Sequence, residues 1–152
     1  HITSTRVSKL SRTNRISILA LGPLLQRHGE AEVPRVGGDA IGPRPVDFHI
    51  QALEQMGAKI VERDHSYEAT APHGLHGALI ALSYPSVGAT ENIIFAAVMA
   101  KGRTRIENAA TEPEIQDIVK MLQQMGAIIE FGANRVITID GVEHEIGLGK
   151  EK

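Results

Sequence analysis

Two stretches of the chain combine residue types that could do chemistry. The first runs Val36-Gly37-Gly38-Asp39-Ala40-Ile41-Gly42-Pro43-Arg44-Pro45-Val46-Asp47. Glycines at 37, 38 and 42 free the backbone to move and to approach a ligand closely. Such a loop could carry the Asp39 carboxyl over a substrate. Arg44 precedes Pro45 at a helix start, where a cationic side chain and backbone amides can both meet an anion. The plainer reading is a glycine-rich connection with a solvated Asp and Arg, and spacing alone favours it. The second stretch, Pro85-Ser86-Val87-Gly88-Ala89-Thr90-Glu91-Asn92, opens a strongly apolar helix. Free amides at a helix start beside Ser and Gly make a natural phosphate cradle. The same residues also suit a Ser or Thr cap ahead of a core helix, and without more information the cap is favoured.

Other polar residues carry less. Arg15 opens a second apolar helix, where a lone Arg is usually a surface or ion-pair residue. His73 and His76 have the spacing of a metal pair on a helix. However, His73-Gly74-Leu75-His76-Gly77 is turn-like and lacks acidic ligands nearby, so no metal site is read there. His28, His65 and His144 read as solvated. The charged, glycine-containing stretch 143–152 reads as a linker-like tail, and 1–14 as a flexible N-terminal segment.

The elements that must position these groups follow from an internal repeat. Leu53-Glu54-Gln55-Met56-Gly57-Ala58-Lys59-Ile60 recurs as Leu122-Gln123-Gln124-Met125-Gly126-Ala127-Ile128-Ile129. Before each copy lies an amphipathic helix, with Val46, Ile50, Leu53 and Met56 on one apolar face and Ile115, Ile118, Val119, Leu122 and Met125 on the other. Gly57 and Gly126 supply the left-handed residue that ends each helix. Upstream, each unit predicts an apolar helix (Ile16 to Arg27, Asn92 to Lys101) ending at Gly29 or Gly102. A strand follows (Glu32 to Val36, Thr104 to Asn108). After the amphipathic helices come strand pairs, Lys59 to Asp64 with Tyr67 to Ala71, and Ile128 to Phe131 with Arg135 to Asp140. A strand from Leu75 to Leu82 bridges the units. Thr111-Glu112-Pro113-Glu114 predicts a helix start capped by Thr111. Helices apolar on every side must be buried, and half-polar strands can cover them. The pattern therefore predicts an α/β fold of inside-out units, helices within and sheets outside.

Composition sets the outer bounds. The chain has 152 residues, 42% of them hydrophobic, 22% charged and 3% aromatic. That is the profile of a globular domain with an aliphatic core. Sixteen basic residues against eighteen acidic ones argue against a nucleic-acid or membrane-surface binder, which needs a basic excess. There is no Cys, which excludes disulfides and thiolate sites. No apolar run approaches the roughly 18 residues of a membrane span. A cytoplasmic protein is expected.

Several segments stand in one order from Arg15 to Val142: Arg15-Ile16-Ser17 with Ala20-Leu21-Gly22-Pro23-Leu24, Gly37-Gly38 with Ile41-Gly42, Arg44-Pro45-Val46-Asp47 with His49, Ser86-Val87-Gly88-Ala89-Thr90, and Glu107-Asn108-Ala109-Ala110 with Glu112-Pro113-Glu114. In order and spacing they resemble the UDP-N-acetylglucosamine enolpyruvyl transferase family. The resemblance implies two domains of three inside-out α/β units each, with the active site in the cleft between them. This chain would hold two units of one domain, residues 15–142, and stop where the linker to the other begins.

The family moves the enolpyruvyl group of phosphoenolpyruvate to the 3-hydroxyl of UDP-N-acetylglucosamine, by addition and then elimination of phosphate, in peptidoglycan precursor synthesis. No metal or other cofactor is implied. By position, Asp39 matches the general acid toward the phosphoenolpyruvate methylene. Arg44 matches the phosphate-binding and uridine-stacking Arg. Pro45, Val46, Asp47, Phe48 and His49 match the segment bordering the uracil. Ser86, Val87 and Gly88 match the turn that holds the nucleotide diphosphate, and Arg15 matches an active-site Arg. Most members carry Cys where Asp39 stands. The family's Lys-Asn pair near the N-terminus, its Asp base and a second phosphate-binding Arg have no counterpart. The expectation is thus part of an enzyme, inactive alone, whose partner is the remainder of a longer chain. The competing readings are a non-catalytic nucleotide-sugar binding module and the related shikimate-pathway enolpyruvyl transferase. Arg44-Pro45-Val46-Asp47 and Ser86-Val87-Gly88-Ala89-Thr90 favour the nucleotide-sugar branch.

Overall fold

The computed structural model describes residues 16–35 and 46–142. The 1–14 and 143–152 segments read from the sequence lie outside that range. Within it the repeat becomes two copies of one unit. The first has a 3₁₀ helix Ile16–Ala20 running into α1 (Leu21–His28), then β1 (Glu30–Pro34), α2 (Asp47–Gln55), β2 (Lys59–Glu62) and β3 (Ser66–Thr70). The second has β4 (Leu79–Ala81), α3 (Val87–Ala97), β5 (Arg103–Glu107), α4 (Pro113–Gln124), β6 (Ile128–Phe131) and β7 (Ile137–Asp140). The glycines expected to end helices, Gly29, Gly57, Gly102 and Gly126, all have positive φ.

Each unit builds one sheet. The first is β1-β3-β2, antiparallel throughout; the second is β4-β5-β7-β6, with β4 and β5 parallel. Register sorts the side chains by face, because side chains alternate along a strand. Val33 lies opposite Tyr67 and Ala31 opposite Ala69, and all are buried. In the second sheet Thr104 and Ile139, then Ile106 and Ile137, pair inward. Arg103 and Asp140 pair outward in a two-pronged ion pair at 2.6 and 3.1 Å.

α3 runs through the middle. Ala89, Ile93, Ile94, Ala96 and Ala97 are all fully buried, and α1, α2, α4, β5 and β7 pack around it. Burying a side chain such as Ile93 contributes about 1.5–3 kcal/mol, so this helix anchors both units. The expected inside-out arrangement, helices within and sheets outside, is the one observed.

Local details depart from expectation for identifiable reasons. The first apolar helix is not continuous from Ile16: it is 3₁₀ to Ala20 and α-helical only from Leu21. Pro23 has no N–H to give a preceding turn, so it sits in the first turn of a fresh helix, where none is required. The second apolar helix starts at Val87, before the expected Asn92, because Ser86 caps it, and ends at Ala97. Thr111 does not cap α4. Pro113 occupies its first turn and extended Glu112 (ψ 159) is the cap position, which leaves Thr111 one residue too early. Pairing does run along the expected Leu75–Leu82 stretch, through Lys101 N–H to Leu75 O and Leu82 N–H to Glu107 O. Only Leu79–Ala81 is regular strand, since Gly102 on the partner side turns out of extended conformation at φ 99.

Candidate functional site

The start of α3 is held by hydrogen bonds from its own cap and from the loop behind it. Ser86 has extended backbone and its Oγ accepts the Ala89 N–H at 3.2 Å. Thr90 donates its hydroxyl to Ser86 O at 2.7 Å and accepts the Ala110 N–H at 3.0 Å. Asn108, at φ 57, donates to Leu82 O at 2.9 Å. The loop after β5 therefore braces the turn from behind, which gives Glu107-Asn108-Ala109-Ala110 a structural role. The Val87 and Gly88 amides belong to a first turn that has no partners within the helix. No acidic residue stands in that turn, so the positive end of the helix dipole is not offset there.

α2 begins beside it. Val46 is buried ahead of the first turn, Asp47 is exposed, Phe48 is half-buried and His49 is buried. A Cβ built on Gly88 would lie 3.3 Å from His49 Cε1 and 3.4 Å from Nε2. The Cε1–Nε2 edge of the ring thus rests on the Gly88 backbone. Of the residues singled out from the sequence, His49 is set against Gly88, so that α2, which Val46 precedes and Asp47 and Phe48 begin, packs on α3, which starts at Ser86–Gly88. Asp39, Arg44, Pro45 and Arg15 lie outside the described residues.

One residue that sequence reasoning passed over joins the elements. Asn92 is fully buried on α3. Its Oδ1 accepts the Gly22 N–H at 3.0 Å, its Nδ2 donates to Ile18 O at 3.1 Å, and the same Nδ2 lies 3.0 Å from His49 Nδ1. Asn92 thereby caps α1 from another helix and ties the 3₁₀ segment and α2 to α3. The available signal was an amide inside the run Ala89 to Ala100, since a buried polar group without partners is costly. Next to it, burial pushes the Glu91 carboxyl above its ordinary value, and the Glu114 charge adds to the shift.

The other candidates lie elsewhere. His28, His65, His73 and His76 are exposed. An open polar groove bounded by Glu62, Arg63, Asp64, His65, Ser66 and Glu68 sits at the β2–β3 turn; of the residues singled out from the sequence it includes His65, which the sequence reads as solvated.

Comparison with known proteins places this arrangement. A UDP-N-acetylglucosamine 1-carboxyvinyltransferase of Chlamydia abortus is 55% identical over 137 residues, covering 90% of this chain and 31% of the relative. The protein of that name from Gluconobacter oxydans is 55% identical over 129 residues, covering 85% and 31%. The chain thus spans about a third of the length of these curated relatives. Among solved structures, the enolpyruvyl transferase NikO from Streptomyces tendae superposes with a TM-score of 0.67 at 23% identity, over 82% of this chain and 29% of that one. An EPSP synthase from Acinetobacter baumannii gives 0.62 at 21%, over 82% and 28%. Those two likenesses speak for the fold alone. The sequence pattern of EPSP synthase (3-phosphoshikimate 1-carboxyvinyltransferase) matches residues 1–151, and on that match the chain belongs to the EPSP synthase family of enolpyruvyl transferases.

Proposed function

We propose that this chain is the nucleotide-sugar-holding part of a cytoplasmic UDP-N-acetylglucosamine enolpyruvyl transferase of peptidoglycan precursor synthesis, acting with the remainder of a longer enzyme chain. The observation that carries the reading is the seat of His49 on Gly88, which sets the Val46–His49 segment beside the Ser86–Gly88 turn. A nucleotide diphosphate at that turn would meet the first amides of α3 and the positive end of its dipole. The uracil would border the start of α2, with Arg44 on the phosphates. Asp39 would protonate the phosphoenolpyruvate methylene carbon. The sugar 3-hydroxyl oxygen would then add to the neighbouring carbon, its proton passing to the base that the remainder of the enzyme chain would supply. Loss of a methyl proton with departure of phosphate restores the double bond.

The shikimate branch shares the fold, but two solved EPSP synthase structures are 21% and 18% identical, against 55% for two UDP-sugar relatives. Titrating the ¹⁵N-labelled chain separately with UDP-N-acetylglucosamine and shikimate 3-phosphate tests the choice. Shifts at Val46–His49 and Ser86–Gly88 with the UDP-sugar alone are expected. Arg44→Ala should weaken that binding about tenfold or more, as loss of a charge-assisted hydrogen bond of about 1.5–3 kcal/mol implies. Shifts with shikimate 3-phosphate alone, or with neither ligand, would overturn the reading.

A further inference from the structure

We infer that Asn92 is a positioning residue: it holds His49 in the tautomer that carries its proton on Nε2 and seats that edge of the ring at the mouth of the α3 turn. The argument starts from groups whose roles are not adjustable. The Gly22 N–H can only donate and the Ile18 carbonyl can only accept, so contacts of 3.0 and 3.1 Å fix which end of the Asn92 amide is oxygen and which is nitrogen. The amide nitrogen has two hydrogens. One goes to Ile18 O. The other points at His49 Nδ1, 3.0 Å away. A ring nitrogen that receives an N–H cannot carry one, so the proton of His49 belongs on Nε2. The opposite tautomer would set N–H against N–H where Asn92 is fully buried and His49 nearly so, leaving two buried donors without an acceptor.

The Nε2 side is the side that rests on Gly88. The ring therefore turns its N–H edge, not a lone pair, toward Gly88 in the first turn of α3. Toward an anionic ligand a lone pair there would repel and an N–H attract. The same amide caps α1, so one side chain sets both that cap and the tautomer. The ligand part of this inference rests on the nucleotide-sugar reading; the tautomer part does not.

Long-range ¹H–¹⁵N spectra of the labelled chain read the tautomer directly. The expected result is an unprotonated His49 Nδ1 with a resolved N–N scalar coupling to Asn92 Nδ2. Asn92→Asp keeps the shape and an acceptor for Gly22 N–H, but faces His49 with an oxygen. It should move the ring proton to Nδ1 and weaken UDP-N-acetylglucosamine binding about five- to tenfold, the scale of one lost hydrogen bond. A protonated Nδ1 or no coupling in the wild-type chain, or an Asn92→Asp ring and affinity like wild type, would overturn the inference. Should Asn92→Asp lose its dispersed spectrum, the wild-type coupling decides alone. If the wild-type chain binds no UDP-sugar, the nucleotide-sugar reading falls, while the ring spectrum still decides the role of Asn92.

Discussion

Replacing Gly22 by Ala tests whether α1 and α3 pack as tightly as the buried-helix core requires. The new Cβ would lie 2.5 Å from Asn92 Oδ1, 2.7 Å from Asn92 O and 3.3 Å from Ala96 Cβ. None of these can swing aside cheaply: Oδ1 belongs to an amide pinned to Gly22, Ile18 and His49, and the second oxygen is helix backbone. Overpacking of this kind costs about 1–3 kcal/mol. Stretching the Gly22 N–H bond to Oδ1 adds about 0.5–1.5 kcal/mol. Against these, Ala in a helix regains about 0.5–1 kcal/mol over Gly. The net loss is about 2 kcal/mol, or roughly 4–8 °C in Tm for a chain of this size. Gly132→Ala is the control, because its Cβ would meet only Val136, at an ordinary 3.5 Å; that change should stay within about 0.5 kcal/mol. Urea unfolding and calorimetry on the three proteins measure both. A Gly22→Ala variant no less stable than Gly132→Ala would show that α1 and α3 do not meet at this spacing.

Four further outcomes are expected. Glu91 is held above its ordinary carboxyl pKa by burial and then by Glu114. The folded state thus favours its protonated form, and that stability is lost as pH rises through the raised value. Glu91→Gln should match wild type at low pH and exceed it at neutral pH; a Tm difference independent of pH, or one of opposite sign, would refute this. With both substrates, the chain alone should release no phosphate above blank in a phosphate assay, since it spans about a third of its relatives and phosphate clamps carry several kcal/mol of such barriers. In the complete enzyme, Asp39→Asn should slow turnover by about 10²–10⁴, the worth of a positioned general acid, with UDP-N-acetylglucosamine affinity nearly unchanged. The Asp39 enzyme should also resist the epoxide fosfomycin, which alkylates the family's thiol, since a carboxyl is the poorer nucleophile. Time-dependent inactivation of the Asp39 enzyme would place the acid elsewhere.

Much of the fold was legible because it is local. Met56-Gly57-Ala58 and Met125-Gly126-Ala127 end their helices alike because both glycines take the positive φ that other residues resist. The all-apolar run Ile93 to Ala100 called for burial, and α3 is buried. Boundaries were less legible. Thr111 looked like a cap until Pro113 set the helix start one residue later, and Ile16 looked α-helical until Pro23 divided the segment.

The site divides along the same line. Residue order alone determined that Val46–His49 and Ser86–Gly88 each lie at a helix start, because caps, prolines and apolar spacing act over a few residues. Chain order could not say that these two starts touch. That depended on small residues letting α1, α2 and α3 approach closely, and on a buried amide satisfying all its hydrogen bonds across three segments. Gly22, Ile18, His49 and Asn92 are 74 residues apart at their widest bonded pair, Ile18 with Asn92. No periodicity reaches across such a gap. Only packing brings those groups within hydrogen-bond distance, and desolvation then obliges each to find its partner.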